Sequence, residues 1–382
     1  MKIPLAWLQL SREKMRLLVA LAGISFADIL MFMQLGFRDA LFDSAVTLHK
    51  NLQGDVFLLS PQSEAIISMK SFPRRRLYQA LGFEGVQSIS PMYMDTALWK
   101  NPETRGTRGI LVLGFNPRDS VLDLPGVTQN LDTIKMPDVV LFDDTSRPEF
   151  GPISQWFNQG KDVTTEVGER RIKVGGVFSL GASFGADGNI VTSDLNFLRL
   201  FPKRDRGLID IGAIKLEPTA DLENVLINMR QNLPEDVRVL SKEELIEFEK
   251  KYWQTGTAIG FIFTLGTSMG FIVGMVIVYQ ILYTDVTDHL PEYATLKAMG
   301  YKDSYLLTIV FQEALILALL GYFPGIFLAS GLYGLTRIAT NLPMAMTLVR
   351  AVTVLVLTII MCCVSGAIAV RKLEAADPAD IF

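Results

Sequence analysis

Cysteine is almost absent from this sequence of 382 residues. The only two, Cys362 and Cys363, are adjacent and lie inside an apolar run. The water-soluble part of the chain therefore contains no disulfide, whichever compartment it occupies. Histidine is equally scarce, because His49 and His289 are the only two and lie in different regions. This separation argues against a histidine-based metal site within one chain.

Motifs for nucleotide or metal chemistry are also missing. The sequence has neither the G-x-x-x-x-G-K-S/T pattern of a P-loop nor the H-E-x-x-H pattern of zinc peptidases. The net charge is −4 and there is no basic block, so nucleic acid is not expected as a partner. We predict no catalytic residue, no metal and no cofactor on this chain. If the protein performs energised work, the ATPase is a separate chain.

Long apolar runs are what the sequence does contain. With 49% hydrophobic residues and a mean hydropathy of +0.31, it combines membrane-spanning segments with a sizeable soluble part. Four runs are long enough to span a bilayer, at 17–37, 257–283, 305–335 and 351–370. Gly321 and Pro324 interrupt the third run. The basic, amphipathic segment 1–16 places the N-terminus in the cytoplasm, and four spans return the C-terminal segment 371–382 to the same side.

The segment between the first two runs, 38–253, is large enough for a soluble domain of its own. Strand-like runs bounded by turn residues occur at 55–60, 109–115, 139–142, 171–181, 189–198 and 209–217. An amphipathic helix at 222–233 and a short strand at 237–241 follow, as in a split βαβ unit. A capping box, Ser241 to Glu244, opens a helix that leads to the second span. The predicted fold is an α-helical membrane domain of four transmembrane helices with a large α+β extracytoplasmic domain between helices 1 and 2.

The hydrophilic stretch 285–303, between the second and third runs, has the pattern of a capped helix. Asp288 is suited to the N-cap and Pro291 to the first turn. Gly300 suits the left-handed position after a helix. The helix would lie in the cytoplasm and display an apolar face that requires a partner. The alternative is a solvated loop between two spans, which would not need a cap at each end.

Glycines recur every four residues in the second span, at Gly266, Gly270 and Gly274. This ridge allows another helix to approach closely. The sequence leaves two partners open, a second copy of the chain or the first span of the same chain. Polar residues are rare in the spans, and Asp28 and Gln34 mark the first one. An intramembrane carboxylate is either functional or hydrogen-bonded across a helix interface, and we favour the structural role because no cation lies deep in another span.

A hydrolase-like pattern, G-x-S-x-G, occurs around Ser183. A predicted strand precedes it, but the turn sequence ADGN follows where a nucleophile elbow requires a helix. We therefore interpret 181–185 as a flexible glycine-rich loop. Ser183 is the only feature of the sequence that supports the alternative of a membrane-anchored hydrolase.

The order of one span, a large outer domain and three further spans resembles the MacB-like permeases of ABC exporters. The resemblance covers essentially the full length and is greatest to the DevC-type permeases of cyanobacteria. The most specific matches are EYATLKAMG at 292–300 and RIKVGGVF at 171–178. The segments 23–42 and 371–382 are also similar to the family.

The resemblance implies a homodimer in the plasma (inner) membrane that binds two copies of a separate ABC ATPase subunit carrying ATP and Mg. It further implies a periplasmic adaptor protein, an outer-membrane channel of TolC type and a lipid-like substrate, for the DevC branch a glycolipid. Helices 38–49 and 241–256 would form a stalk that transmits ATP-driven motion. Contact with the ATPase would be made by Glu292, Tyr293, Leu296, Lys297 and Gly300. A different class remains open, an ATPase-driven transmembrane regulator of envelope enzymes or signalling that moves no substrate.

Overall fold

A computed structural model describes residues 14–119, 121–291, 303–340 and 342–374, together with Thr295 and Met299, and for 303–306 and 371–374 the backbone alone. Leu41–Thr257 forms one compact unit, and the described residues on either side of it form the other. In chain order the helices are α1 (Lys14–Ala45), α2 (Thr47–Asn51), α3 (Arg75–Ala80), α4 (Pro125–Thr128), α5 (Ile153–Asn158), α6 (Asp194–Leu200), α7 (Leu222–Asn232), α8 (Lys242–Lys251), α9 (Ala258–Asp288), α10 (Asp303–Thr340) and α11 (Leu348–Glu374).

Four of these helices, α1, α9, α10 and α11, are long and apolar enough to cross a membrane. Each overlaps one of the four apolar runs of the sequence. Helix α10 continues through Gly321 and Pro324 without a break. A proline is tolerated inside a membrane helix that is packed against other helices. Three residues before Pro324, the Gly321 carbonyl accepts a hydrogen bond from Ser25 of α1 at 2.8 Å.

The unit between α1 and α9 is built on a mixed β-sheet. Its strands are β1 (Val56–Leu59), β2 (Phe72–Pro73), β3 (Val86–Lys100), β4 (Thr107–Phe115), β5 (Val139–Asp143), β6 (Thr164–Val167), β7 (Arg170–Phe178), β8 (Asn189–Ser193), β9 (Leu208–Ile209), β10 (Ile211–Leu216) and β11 (Arg238–Ser241). Nine of them form one sheet in the order β11-β1-β10-β3-β4-β8-β5-β7-β6. The pairing of Trp99 in β3 with Val167 in β6 closes part of this sheet on itself.

The split βαβ unit expected near the end of the domain is present. Strand β1 lies between β10 and β11 and is antiparallel to both, and α7 connects the two outer strands. The capping box is also present, since the Ser241 hydroxyl accepts from the Glu244 N–H and the Glu244 carboxylate accepts from the Ser241 N–H. The predicted fold class, four membrane helices with an α+β domain after the first, is therefore confirmed.

Two parts of the sheet differ from the expectation. The predicted strand at 189–198 ends at Ser193, whose hydroxyl accepts from the Asn196 N–H and begins α6. The longest strand, β3, was not predicted, because Pro91 and its polar residues hide the period-two pattern. Hydrophobic cores cover both faces of the sheet, with Trp99 and Phe150 in one and Phe115 and Phe178 in the other.

Candidate functional site

The stretch expected to contact an ATPase is described only in part. Glu292, Tyr293, Leu296, Lys297 and Gly300 lie outside the described residues. The positions that are described follow a helical path. The Thr295 hydroxyl donates to the Pro291 carbonyl at 2.8 Å, and the Met299 N–H donates to the Thr295 carbonyl at 3.0 Å. Both bonds have the four-residue spacing of an α-helix.

The role predicted for Asp288 is wrong. Helix α9 extends five residues beyond the expected end of the second span, and Asp288 is its last residue rather than the cap of the next helix. The Asp288 carboxylate instead accepts a hydrogen bond from the Arg16 guanidinium at 2.5 Å. Aspartate prefers the N-terminal end of a helix, and at the C-terminal end of α9 this side chain is paired with a cation distant in sequence, Arg16.

The glycine ridge of α9 faces α1. A Cβ atom added at Gly266 would lie 2.5 Å from Cδ of Gln34. One added at Gly274 would lie against Sδ of Met361 in α11 and 2.6 Å from Cβ of Ala27 in α1. At Gly270 the nearest atom is Cβ of Leu30, at 3.3 Å. Of the two partners left open by the sequence, the structure thus shows the first span at this ridge, with Gln34 packed directly over Gly266.

Enlarging this ridge is expected to destabilise the membrane helices. Gly274→Leu would drive a side chain into the rigid Cβ of Ala27, and such overpacking costs about 1–3 kcal/mol. Gly331→Leu in α10 is the matched control, because nothing lies within 4 Å of a Cβ at Gly331. Thermal unfolding of the purified chain in detergent measures the difference. Equal melting temperatures for the two variants would show that this helix contact is dispensable.

Asp28 lies where the first, third and fourth spans meet. It is fully buried, and its Oδ1 atom lies 2.5 Å from the Thr358 hydroxyl of α11. A Cβ atom at Gly325 of α10 would lie 2.9 Å from Cβ of Asp28, so only glycine permits this approach. These contacts make Asp28 a polar link between α1 and α11.

Two buried charged residues of the membrane unit were not predicted from the sequence. They are Arg350 and Glu313. Arg350 is 6% exposed and donates to Asp39 at 2.8 Å and to the Ala345 carbonyl at 2.7 Å. It was placed just outside the fourth span, although α11 begins at Leu348. Glu313 is fully buried in α10. It could have been found from the sequence, because it is the only acidic residue within the apolar run LLTIVFQEALIL.

The two segments expected to form a stalk are joined by a buried polar pair. His49 of α2 and Glu249 of α8 are each 2% exposed, and their Nε2 and Oε2 atoms lie 3.5 Å apart. Glu249 also accepts from the Ile66 N–H and from the Trp253 indole, both at 2.9 Å. After α8 the chain forms a π-helical turn, Tyr252–Gly256. One carboxyl group thus connects α2, the 66–68 turn and the π-helical turn.

Burial shifts both groups away from their charged forms. Desolvation raises the pKa of Glu249 to about 7, and the hydrogen bonds from Ile66 and Trp253 oppose this rise. Desolvation also lowers the pKa of His49 to about 4, although its contact with the Ala45 carbonyl acts in the opposite direction. The pair is therefore most stable with both side chains neutral.

The glycine-rich loop around Ser183 packs against this pair. Phe184 makes an edge-to-face contact with Trp253, with ring centroids 4.9 Å apart. Ser183, Gly185 and Glu249 help to line a cavity of about 20 Å³, enough for one water molecule. The Ser183 hydroxyl accepts from the Ala186 N–H at 3.1 Å, and no described hydrogen bond joins it to His49. The loop has the geometry of a closed turn rather than of a nucleophile elbow.

Comparison with known proteins finds a family match in the C-terminal third. Residues 256–378 match the FtsX-like permease C-terminal family. No curated protein sequence matches the chain. Two solved structures are similar to its outer domain. The periplasmic region of MacB from Actinobacillus actinomycetemcomitans has 10% identity and a TM-score of 0.36. The alignment covers 52% of this chain and 92% of the MacB region. The extracellular domain of the noncanonic ABC-type transporter YknZ from Gram-positive bacteria has 15% identity and a TM-score of 0.33. The alignment covers 49% of this chain and 99% of the YknZ domain.

The fold and the family match together define a class. The protein is a multi-pass membrane protein whose last three spans match the FtsX-like permease C-terminal family and whose α+β domain lies between the first and second spans.

Proposed function

We propose that the protein is the permease subunit of an ABC exporter, a non-catalytic subunit driven by ATP hydrolysis on a separate chain. The observation that carries this proposal is the match of 256–378 to the FtsX-like permease family. ATP and Mg would bind the partner ATPase, since the sequence has no P-loop. The helical path through Pro291, Thr295 and Met299 supports a cytoplasmic helix as the contact.

The transport mechanism would be mechanical. The ATPase would displace the 285–303 stretch, and the stalk segments 38–49 and 241–256 would transmit the movement to the outer domain. The buried His49–Glu249 contact supports joint movement of these segments, because separating them would break the hydrogen bonds that the Glu249 carboxyl group accepts from Ile66 and Trp253. The membrane would be the plasma (inner) membrane, with both termini in the cytoplasm as the basic residues of 1–16 indicate.

The assembly would be a homodimer with a periplasmic adaptor protein and an outer-membrane channel of TolC type. Its substrate would be lipid-like, in line with the resemblance of 292–300 and 171–178 to DevC-type permeases, for which the class is glycolipid. Because the glycine ridge packs on α1, the dimer contact would use other membrane faces, such as the exposed residues Phe323 and Phe327 of α10.

Co-expression with candidate ABC ATPase subunits from the same genome tests the proposal. We expect the two proteins to co-purify and the complex to hydrolyse ATP, and we expect cells that lack the chain to retain a lipid that wild-type cells export. Unchanged lipid export together with altered cell-wall hydrolysis would favour the regulator instead. If no ABC ATPase binds the chain, the proposal is wrong.

A further inference from the structure

The turn around Ser183 holds one aromatic side chain out of the outer domain. The Ser183 N–H donates to the Ala186 carbonyl at 2.8 Å, and the Ala186 N–H donates to the Ser183 hydroxyl, so Phe184 lies at the tip of a closed turn. The start of the turn is fixed by the buried Asp143 carboxylate, which accepts from two of its backbone N–H groups, both at 3.0 Å. Phe184 is 49% exposed at this fixed tip.

A second exposed apolar side chain lies beside this tip. Ile67 is also 49% exposed, and a Cβ atom added at Gly185 would lie 2.5 Å from Cγ2 of Ile67. The segments that carry the two side chains, 65–69 and 180–186, contain no charged residue. The other large apolar side chains of these segments pack against the core of the domain. Phe184 and Ile67 therefore form a small apolar patch that faces away from the core.

The patch is close in the chain to the start of the second span. Phe184 packs edge to face on Trp253, which precedes Ala258, the first residue of α9, by five positions. No charged residue occurs from Ala258 to Tyr283, a helical length of roughly 40 Å at 1.5 Å per residue. A bilayer with its headgroup regions has about this thickness. The residues just before Ala258 are therefore expected at the bilayer surface.

These residues also have the composition of a membrane interface. Lys250 and Lys251 end α8, and Tyr252 and Trp253 follow them directly in the π-helical turn. Tyrosine and tryptophan are enriched where a bilayer meets water. Lysine side chains at this level lay their apolar stems along the apolar surface and keep the charge in water. The run is therefore expected among lipid headgroups, and the ring of Phe184 contacts its tryptophan.

We propose that Phe184 and Ile67 insert into the lipid of the leaflet at which α9 begins, so that the outer domain is anchored to the bilayer surface beside its connection to the second span. Lipid is the favoured occupant because the patch is uncharged and adjoins the interfacial run 250–253. Two half-exposed side chains are also far smaller than the roughly 800 Å² that each partner buries in a standard protein interface. The contact requires neither an ATPase nor a substrate, so it goes beyond the proposed transport function.

Tryptophan fluorescence of the full chain in lipid nanodiscs tests this contact. Phe184→Trp places a fluorescent probe at the tip, and phosphatidylcholine brominated on the acyl chains near the headgroup quenches a tryptophan that it touches. We expect brominated nanodiscs to remove most of the emission that Phe184→Trp adds to that of the wild type. Ile67→Trp places a second, independent probe on the same patch and should respond in the same way, so the test does not depend on the folding of one variant.

Leu195→Trp is the matched control, because Leu195 is 70% exposed in the same domain. It lies on α6, which begins where β8 ends at Ser193. The other end of β8 is Asn189, whose amide donates to the Gly181 carbonyl at the turn. Leu195 and the patch are therefore at opposite ends of this strand. The emission that Leu195→Trp adds should be the same in brominated and unbrominated nanodiscs.

Two results would overturn the proposal. One is quenching of the patch probes that is no stronger than quenching of Leu195→Trp. The other is protection of the patch probes from acrylamide without quenching by brominated lipid, because a protein, either a partner or a second copy of the chain, would then cover the patch. None of these measurements uses nucleotide or transport, so failure of the proposed function would leave their outcome unchanged.

Discussion

Replacement of Leu296 with aspartate is expected to abolish ATP-driven export while the chain still inserts into the membrane and its outer domain still folds. In a helix through Pro291, Thr295 and Met299, positions 293, 296 and 300 share one face. A charge placed in an apolar contact there lacks a partner, at a cost of roughly 2 kcal/mol or more. Because about 1.4 kcal/mol corresponds to a tenfold change in binding, we expect ATPase association to weaken at least tenfold. Tyr293→Asp should act in the same way.

Thr295→Asp is the matched control for this prediction. It introduces the same charge one residue away, about 100° around the helix from position 296, at an exposed position. Co-purification of the ATPase and ATP-dependent export should survive it. If Leu296→Asp behaves like Thr295→Asp in both measurements, the stretch is only a connecting loop and the coupling assignment is wrong.

The features that were predictable from the sequence depend on neighbouring residues. Membrane spans are visible because about twenty apolar residues must follow one another. The capping box at Ser241 and Glu244 lies within four residues, and α7 with its flanking strands shows its own periodicity. Each of these elements could be predicted without knowing what packs against it.

The features that were missed depend on partners distant in sequence. His49 and Glu249 are two hundred residues apart, and only the fold places them 3.5 Å from each other. Strand β3 has a mixed polar pattern, because its stability comes from pairing with β4, β10 and β6. Aspartate is a common N-cap residue, but the Asp288 carboxylate accepts a hydrogen bond from Arg16, which is distant in sequence. Propensity is a local quantity, whereas partner choice is set by the whole fold.

Single substitutions in the His49–Glu249 pair are expected to give the outer domain pH dependences of opposite sign. The pKa of Glu249 rises from 4.5 in the unfolded chain to about 7, so its contribution to stability is present below pH 4.5 and is lost as the pH rises through 7. The pKa of His49 falls from 6.5 to about 4, so its contribution is present above pH 6.5 and is lost as the pH falls through 4.

Between pH 4.5 and 6.5 the two contributions oppose each other. The unfolded chain there holds a charged histidine and a charged glutamate, whereas the folded chain holds both groups neutral. Both states bind the same number of protons, because folding in effect moves one proton from His49 to Glu249. The wild-type pair should therefore add almost no pH dependence in this window.

Removing one member of the pair leaves the other uncompensated. With Glu249→Gln only His49 titrates, and the free energy of unfolding should fall as the pH is lowered from 6.5 toward 4. With His49→Gln only Glu249 titrates, and stability should fall as the pH is raised from 4.5 toward 7. Tryptophan fluorescence during denaturation reports on this domain, since Trp99, Trp156 and Trp253 lie in it. Glu247→Gln, exposed on the same helix as Glu249, should follow the wild type. Slopes of the same sign in the two single variants would show that the proton is not exchanged within this pair, and the neutral contact between the two stalk segments would then be wrong.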